Sequence, residues 1–361
     1  MEQYQSFNKK RITSIDALRA FTLLGIMIVH ACGLFAFKNT TYDSSYFSVL
    51  GQCVDRFSYY FLSGRCSSIF AMLFGVSFYL VLKNPNYSSK KFIWRCCLLI
   101  GFGLLNKIFY TNEALVWYGV CGIVLVFFRN KTHQKLLIWF AILFILNYLL
   151  SICDLRHFFY DDTYVNGRYN ITENQLMNIV RYPIACSVYD YIYYILEAPL
   201  DTLYKFVLGY YFAKRGIVDH MDEILKVKHI CFSLVITILF YALFYISGIR
   251  LFVSCATLSC AILYVIIFIV LYNKVPKFFR HFEAYGKLGL TNYSLQGTIG
   301  VIIMSFLITA KFSLEYIVGI FIGVYMLQLI FSNIWMCYFT YGPFEYIWRC
   351  LTNLKFYSIK K

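Results

Sequence analysis

Charge is what this sequence has least of. Only 14% of its 361 residues are Asp, Glu, Lys or Arg, whereas a soluble globular chain carries roughly a quarter. With 60% hydrophobic residues alongside, a water-soluble surface for a chain of this length is excluded. Acidic residues are the scarcest charge, 18 Asp+Glu against 33 Lys+Arg. Proline occurs five times, so long helices meet few breakers. The 13 cysteines form no C-x-x-C pair, which removes the usual zinc and dithiol motifs. Most lie inside apolar runs (Cys32, Cys231, Cys255, Cys260, Cys337) and read as small apolar fillers of a helical bundle. Cys53, Cys66, Cys153 and Cys186 flank the expected outer loops, where a bridge could form. No A-x-A-type cleavage site follows the first apolar run, so that run is expected to stay as a membrane helix and not to be removed as a leader.

What is present is a succession of apolar runs, at 17–37, 66–82, 92–110, 114–128, 136–152, 191–212, 230–249, 251–272, 288–309 and 313–339. These predict an all-α, polytopic integral membrane protein, a single bundle of about ten transmembrane helices. The net charge of +15 would suit nucleic acid if it were clustered on one soluble face. Instead the basic residues stand in short groups between the runs. With the N-terminus placed inside, Lys9–Arg11, Lys90, Lys91, Arg95, Arg129, Lys131, Lys214, Arg215, Lys274, Arg280, Arg349 and Lys361 fall on the cytoplasmic side. Fewer, such as Arg56, Arg65, Arg156 and Arg250, fall outside. This is the positive-inside pattern. It predicts that both ends are cytoplasmic, that the lipid bilayer is the main partner, and that nucleic acid is not one. A five-helix half (12–152), an outer loop (153–190) with Asp161, Asp162 and Arg168, a second five-helix half (191–340) and an amphipathic cytoplasmic tail (341–361) make one membrane domain.

Ionisable groups at membrane depth cost several kcal/mol and need a reason. The first run carries Arg19 and His30, eleven residues apart. At 100° per residue that spacing is three turns plus about 20°, so both share one face, with His30 about 16 Å further along. Asp16 and Thr22 fall near the same stripe. His30 reads either as a general base or as an imidazole satisfied by neighbouring helices. Asp16 and Arg19 suit an i, i+3 pair near the cytoplasmic surface, with Asp16 an anchor and Arg19 also suited to a phosphate. Glu197, Asp201 and Lys205 stand at i, i+4, i+8. Mutual neutralisation of Asp201 and Lys205 is the plain reading, and a proton or ion relay the sharper one. Asn292 and Gln296 share a face as interhelical glue or as substrate contacts. In the tail, Pro343 opens a short interfacial helix, with Glu345 and Arg349 spaced to pair at i, i+4. No metal site is expected.

Three stretches together resemble the YeiB-like family of bacterial inner-membrane proteins, a domain of unknown function (418). The first runs from Arg11 to Ile26 through Asp16 and Arg19. The second runs from Ser68 to Phe78, with Arg95 and Gly101 following. The third joins Gly286–Gln296 to Gly342–Arg349. The resemblance implies a multi-pass protein of the bacterial plasma membrane. The family is in turn similar to the acyltransferase-three and heparan glucosaminide acetyltransferase groups, in which an Arg is followed after ten residues by a His. Here that spacing is Arg19 to His30. YeiB-like proteins usually carry Asn at the His30 position, and many relatives carry His where this chain has Asn106. The resemblance implies acyl transfer from a cytoplasmic acyl-CoA, used as co-substrate with no bound cofactor, to a hydroxyl or amine of a glycan, lipid or small metabolite. His30 would be catalytic, and Arg19, Asp16, Arg95, Asn292 and Gln296 would bind donor or acceptor. Two other readings stand beside it: a transporter or flippase of a polar molecule, and a non-catalytic membrane partner.

Overall fold

The computed structural model describes residues 12–38, 48–109, 114–152, 164–165, 168–169, 188–221, 225–307 and 312–361. Each of the ten apolar runs carries a helix. In chain order these are α1 (Thr13–Lys38), α3 (Arg65–Leu82), α4 (Ser89–Phe109), α5 (Leu115–Leu125), α6 (His133–Ile152), α7 (Val188–Lys214), α8 (Val227–Ser247), α9 (Arg250–Lys274), α11 (Gly289–Leu307) and α12 (Leu314–Tyr338). Three shorter α-helices stand among the described residues: α2 (Val49–Phe57), α10 (Pro276–Lys287) and α13 (Pro343–Asn353). Only α13 was expected from sequence. Pro276 at the first turn is the signal that would have placed α10.

Six segments are long and apolar enough to cross a membrane: Thr13–Gly33, Val49–Leu82, His133–Ile152, Val227–Ser247, Arg250–Lys274 and Leu314–Tyr338. Val49–Leu82 is not one straight rod. α2 runs into a π-helical turn, Ser58–Leu62, and Gly64 at φ 74° breaks the chain before α3 starts. The remaining expected spans are shorter or carry more charge; α4, for example, holds Lys90, Lys91, Arg95 and Lys107. In the 153–190 connection, Tyr164–Val165 pairs antiparallel with Arg168–Tyr169, while Asp161, Asp162, Cys153 and Cys186 lie outside the described residues. Cys53 and Cys66 are free thiols, so they do not bridge each other.

α1 is the central element and packs against α3, α9, α10, α11 and α12. Water does not drive helices together inside a bilayer, so close backbone approach through small residues has to. α3 and α7 show this plainly. A Cβ on Gly75 would fall 2.1 Å from the Phe206 carbonyl oxygen, and one on Gly209 would fall 2.0 Å from that of Met72. Aromatic side chains fill the space beside this crossing, with Phe74, Phe78, Tyr118 and Phe206 in edge and stacked contacts. α8 packs mainly on α9, and a Thr237–Ser259 hydroxyl contact of 3.1 Å joins them. The rest of α8 presents Phe232, Val235, Ile238 and Leu239 outward.

Candidate functional site

The site grows from the N-terminal half of α1. Asp16 is buried there, and Arg19 Nη1 donates to its Oδ1 at 3.0 Å, the i, i+3 pair expected from spacing. The same Nη1 donates to the Gly286 carbonyl at 3.1 Å, and Nη2 donates to Ser77 Oγ at 3.3 Å. Arg19 therefore ties α1 to α3 and to the end of α10. Gly286 lies in the last turn of α10, where carbonyls have no intrahelical partner and the helix dipole is negative. A guanidinium is the group best suited to that position. α1 and α10 come so close here that a Cβ on Gly286 would fall 1.8 Å from the Asp16 carbonyl oxygen. Gly289 leaves the space that the Arg19 side chain occupies.

Two residues past the end of α10 the chain starts α11, and the opposite charge waits there. Glu345 of α13 accepts from Leu290 N (2.7 Å) and Thr291 N (3.1 Å) on one oxygen, and from Thr291 Oγ1 (2.5 Å) on the other. The carboxylate thus caps α11 from another helix, where a dipole favours anions. Burial pushes its pKa above the ordinary carboxyl value, and these hydrogen bonds pull the other way. The expected i, i+4 pair with Arg349 gives way to this contact. Arg349 is exposed and lies over the Tyr341 and Tyr357 rings, 4.6 and 4.8 Å from their centroids. Two unpaired backbone amides at a helix start outbid a solvated cation for the carboxylate. No spacing rule links residues 54 and 55 positions apart, so sequence reasoning missed this cap.

Asn292 and Gln296 fall one turn and two turns into α11, fully inside the bundle. Asn292 Nδ2 donates to the Tyr285 carbonyl and to Ser332 Oγ, both at 3.0 Å. Gln296 Nε2 donates to Tyr285 Oη at 2.7 Å, and Tyr285 in turn bonds Gln328 Oε1 at 2.9 Å. Both amides therefore act as glue between α10, α11 and α12. Tyr325, its ring tilted against Tyr285 with centroids 4.6 Å apart, donates to the Ala20 carbonyl and brings α1 into the same network. Neighbouring Asn106 donates to Ser294 Oγ at 2.9 Å and joins α4 to α11.

His30 lies eleven residues beyond Arg19 on the same unbroken helix, and it is partly buried. On an unbroken helix a spacing of eleven residues places both positions on one side. Arg95, expected near the donor, lies under the tail: its guanidinium sits 4.0 Å from the Trp348 ring centroid, and Trp348 Nε1 donates to the Arg95 carbonyl at 2.9 Å. Asp201 and Lys205 meet at 2.6 Å, with the lysine buried and the aspartate half-exposed, so they neutralise each other locally. The Glu197 side chain lies outside the described residues. Among the described residues no group of three or more His, Cys, Asp or Glu is placed to hold a metal.

The family resemblance falls on the last six helices, α8 to α13. A family model described as "Protein of unknown function (DUF418)" matches residues 223–355, from α8 to α13. Over that segment, a little over a third of the chain, the sequence is similar to the DUF418 family. Two relatives are similar over nearly the whole chain. An "Uncharacterized 39.9 kDa protein in amylase 3'region" from Bacillus acidopullulyticus is 27% identical, covering 96% of this chain and 95% of the relative. "Uncharacterized protein YxaH" from Bacillus subtilis (strain 168) is 24% identical over 99% and 98% of the two chains. The DUF418 segment contains Gly286, Asn292, Gln296 and Glu345, whereas Asp16, Arg19 and His30 precede it. No solved structure matches the chain.

Proposed function

We propose that this protein belongs to the DUF418 family and is a membrane-embedded acyltransferase that moves an acyl group from a cytoplasmic acyl-CoA to a hydroxyl or amine on the far side of the bundle. The reading carries with it ten spanning helices, cytoplasmic N- and C-termini, and residence in a bacterial plasma membrane. One observation supports it above the others. Arg19 is turned inward to α3 and the α10–α11 junction, and the same face of α1 leads to His30.

The rise of about 16 Å between them suits an extended pantetheine arm, with phosphates at the Arg19 end and the thioester at the His30 end. His30 accepts the proton of the acceptor O–H or N–H as the oxygen or nitrogen forms its bond to the thioester carbon. The C–S bond then breaks, and the departing sulfur takes a proton to leave as the CoA thiol. Proton removal of this kind is worth roughly 10²–10⁴-fold in rate. Asp16 holds Arg19 in place and neutralises it, so that a donor phosphate exchanges against Ser77 and the Gly286 carbonyl.

The test is thiol release by the purified full chain, given acetyl-CoA and longer thioesters with a panel of sugar, lipid and amine acceptors. Acceptor-dependent thiol release supports the reading. Silence across the panel, with movement of a polar solute in proteoliposomes, would replace it with a carrier.

A further inference from the structure

A second cation in the bundle has no carboxylate. Arg65 opens α3, is 9% exposed, and makes no ion pair among the described residues. Its Nη1 donates to the carbonyls of Tyr59 (3.3 Å) and Ser63 (2.7 Å), and its Nη2 to Tyr241 Oη. Nε is buried with no partner among the described residues. The depth of this guanidinium can be read from two neighbours. Tyr241 is six residues before the end of α8, and Gly64 touches Thr257, seven residues after the start of α9. At 1.5 Å per residue both place Arg65 about 10 Å below the α8–α9 turn. The neighbouring polar side chains, Cys66, Cys260 and Tyr264, include no carboxylate.

A buried cation served only by neutral acceptors is costly, and a counter-ion relieves that cost. A guanidinium with Nε free presents one edge of its planar fork, and that edge matches the paired oxygens of a phosphate. The chain enters α3 at the same place, so the positive end of the helix dipole adds to the attraction.

We propose that Arg65 is the binding residue of a buried phosphate site, framed by the 58–64 turn, α8 and α9, on the α8–α9 turn side of the bundle. The phosphate is carried on a lipid headgroup or arrives as a free ion. This site rests on its own geometry and is independent of acyl transfer at His30.

The experiment measures the thermal unfolding midpoint of the full chain in neutral detergent. The added probes are phosphatidylglycerol, diacylglycerol as a phosphate-free lipid, and inorganic phosphate. Wild type should be stabilised in a saturable way by phosphatidylglycerol, by inorganic phosphate, or by both, and not by diacylglycerol. A response to phosphatidylglycerol alone assigns a headgroup, and a response to inorganic phosphate assigns a free ion. Arg65→Gln should weaken binding on the order of 10-fold or more, with Arg65→Lys between the two because it keeps the charge and loses the fork. No response to either phosphate source, or an equal response in Arg65→Gln, overturns the site. If Arg65→Gln does not fold, Tyr241→Phe decides. It frees one Nη2 donor and should tighten binding several-fold, and an unchanged affinity would overturn the proposal.

Discussion

Gly286→Ala is the substitution whose cost the structure sets most clearly. Its new methyl would meet the Asp16 carbonyl oxygen at 1.8 Å and the carbonyl carbon at 2.5 Å. Backbone cannot rotate out of the way, so α1 and α10 must separate by an ångström or more. Overpacking of this kind costs about 1–3 kcal/mol. The separation also stretches the 3.1 Å bond from Arg19 to the Gly286 carbonyl, and a hydrogen bond to a charged group is worth about 1.5–3 kcal/mol. Replacing a helical Gly by Ala returns about 1 kcal/mol of intrinsic propensity. The net is a loss of about 1.5–5 kcal/mol. Gly33→Ala, in the same α1 helix, is the matched control, because nothing lies within 4 Å of its added methyl. It should gain up to about 1 kcal/mol. Reversible unfolding in mixed micelles, titrated with denaturing detergent, measures both. Equal midpoints for the two variants would refute the close α1–α10 crossing and the anchoring of Arg19 by it.

Other predictions follow the same logic. Glu345→Ala should lose about 1–3 kcal/mol by stranding two amides and the Thr291 hydroxyl at the start of α11, while Glu345→Gln, which keeps an acceptor oxygen, should stay near wild type at pH 7. Burial raises the Glu345 pKa above its ordinary 4.5, so the folded chain holds this proton more tightly than the unfolded one. Its contribution therefore favours folding at acidic pH and is lost as pH rises from about 4.5 through the raised value. The wild type minus Glu345→Gln difference in unfolding free energy across that range reads it, and a flat difference would contradict the burial. Asn292→Ala should cost about 1–2 kcal/mol through its bonds to Tyr285 and Ser332. A variant with full stability and abolished turnover would instead make Asn292 a substrate contact.

The helices were legible because an apolar run long enough to span can do little else in lipid than close its own hydrogen bonds. The pairs Asp16–Arg19 and Asp201–Lys205 were legible for the same local reason, since i+3 and i+4 neighbours share a helix face. That logic stops at one helix. Glu345 sits four residues from Arg349 yet spends its carboxylate on Leu290 and Thr291, because docking of α13 brings an uncapped helix start within reach. The contact of Arg95 with Trp348, made across 253 positions, has no local signal in the sequence. The spacing of Asn292 and Gln296 favoured interhelical glue beside substrate contact but could not name their partners, Tyr285 and Ser332, which lie on other helices. The α2 and α10 helices escaped notice because their apolar residues are too few to form a run and show only as one-sided periodicity.

Acyl transfer as proposed requires the imidazole of α1 to take a proton while the donor is held elsewhere. Titration of labelled acyl-CoA onto wild type and His30→Ala, followed by turnover of the same two samples with an active acceptor, tests this directly. Donor affinity within about threefold and turnover lower by roughly 10²–10⁴-fold is the expected result. Undiminished turnover in His30→Ala would contradict it.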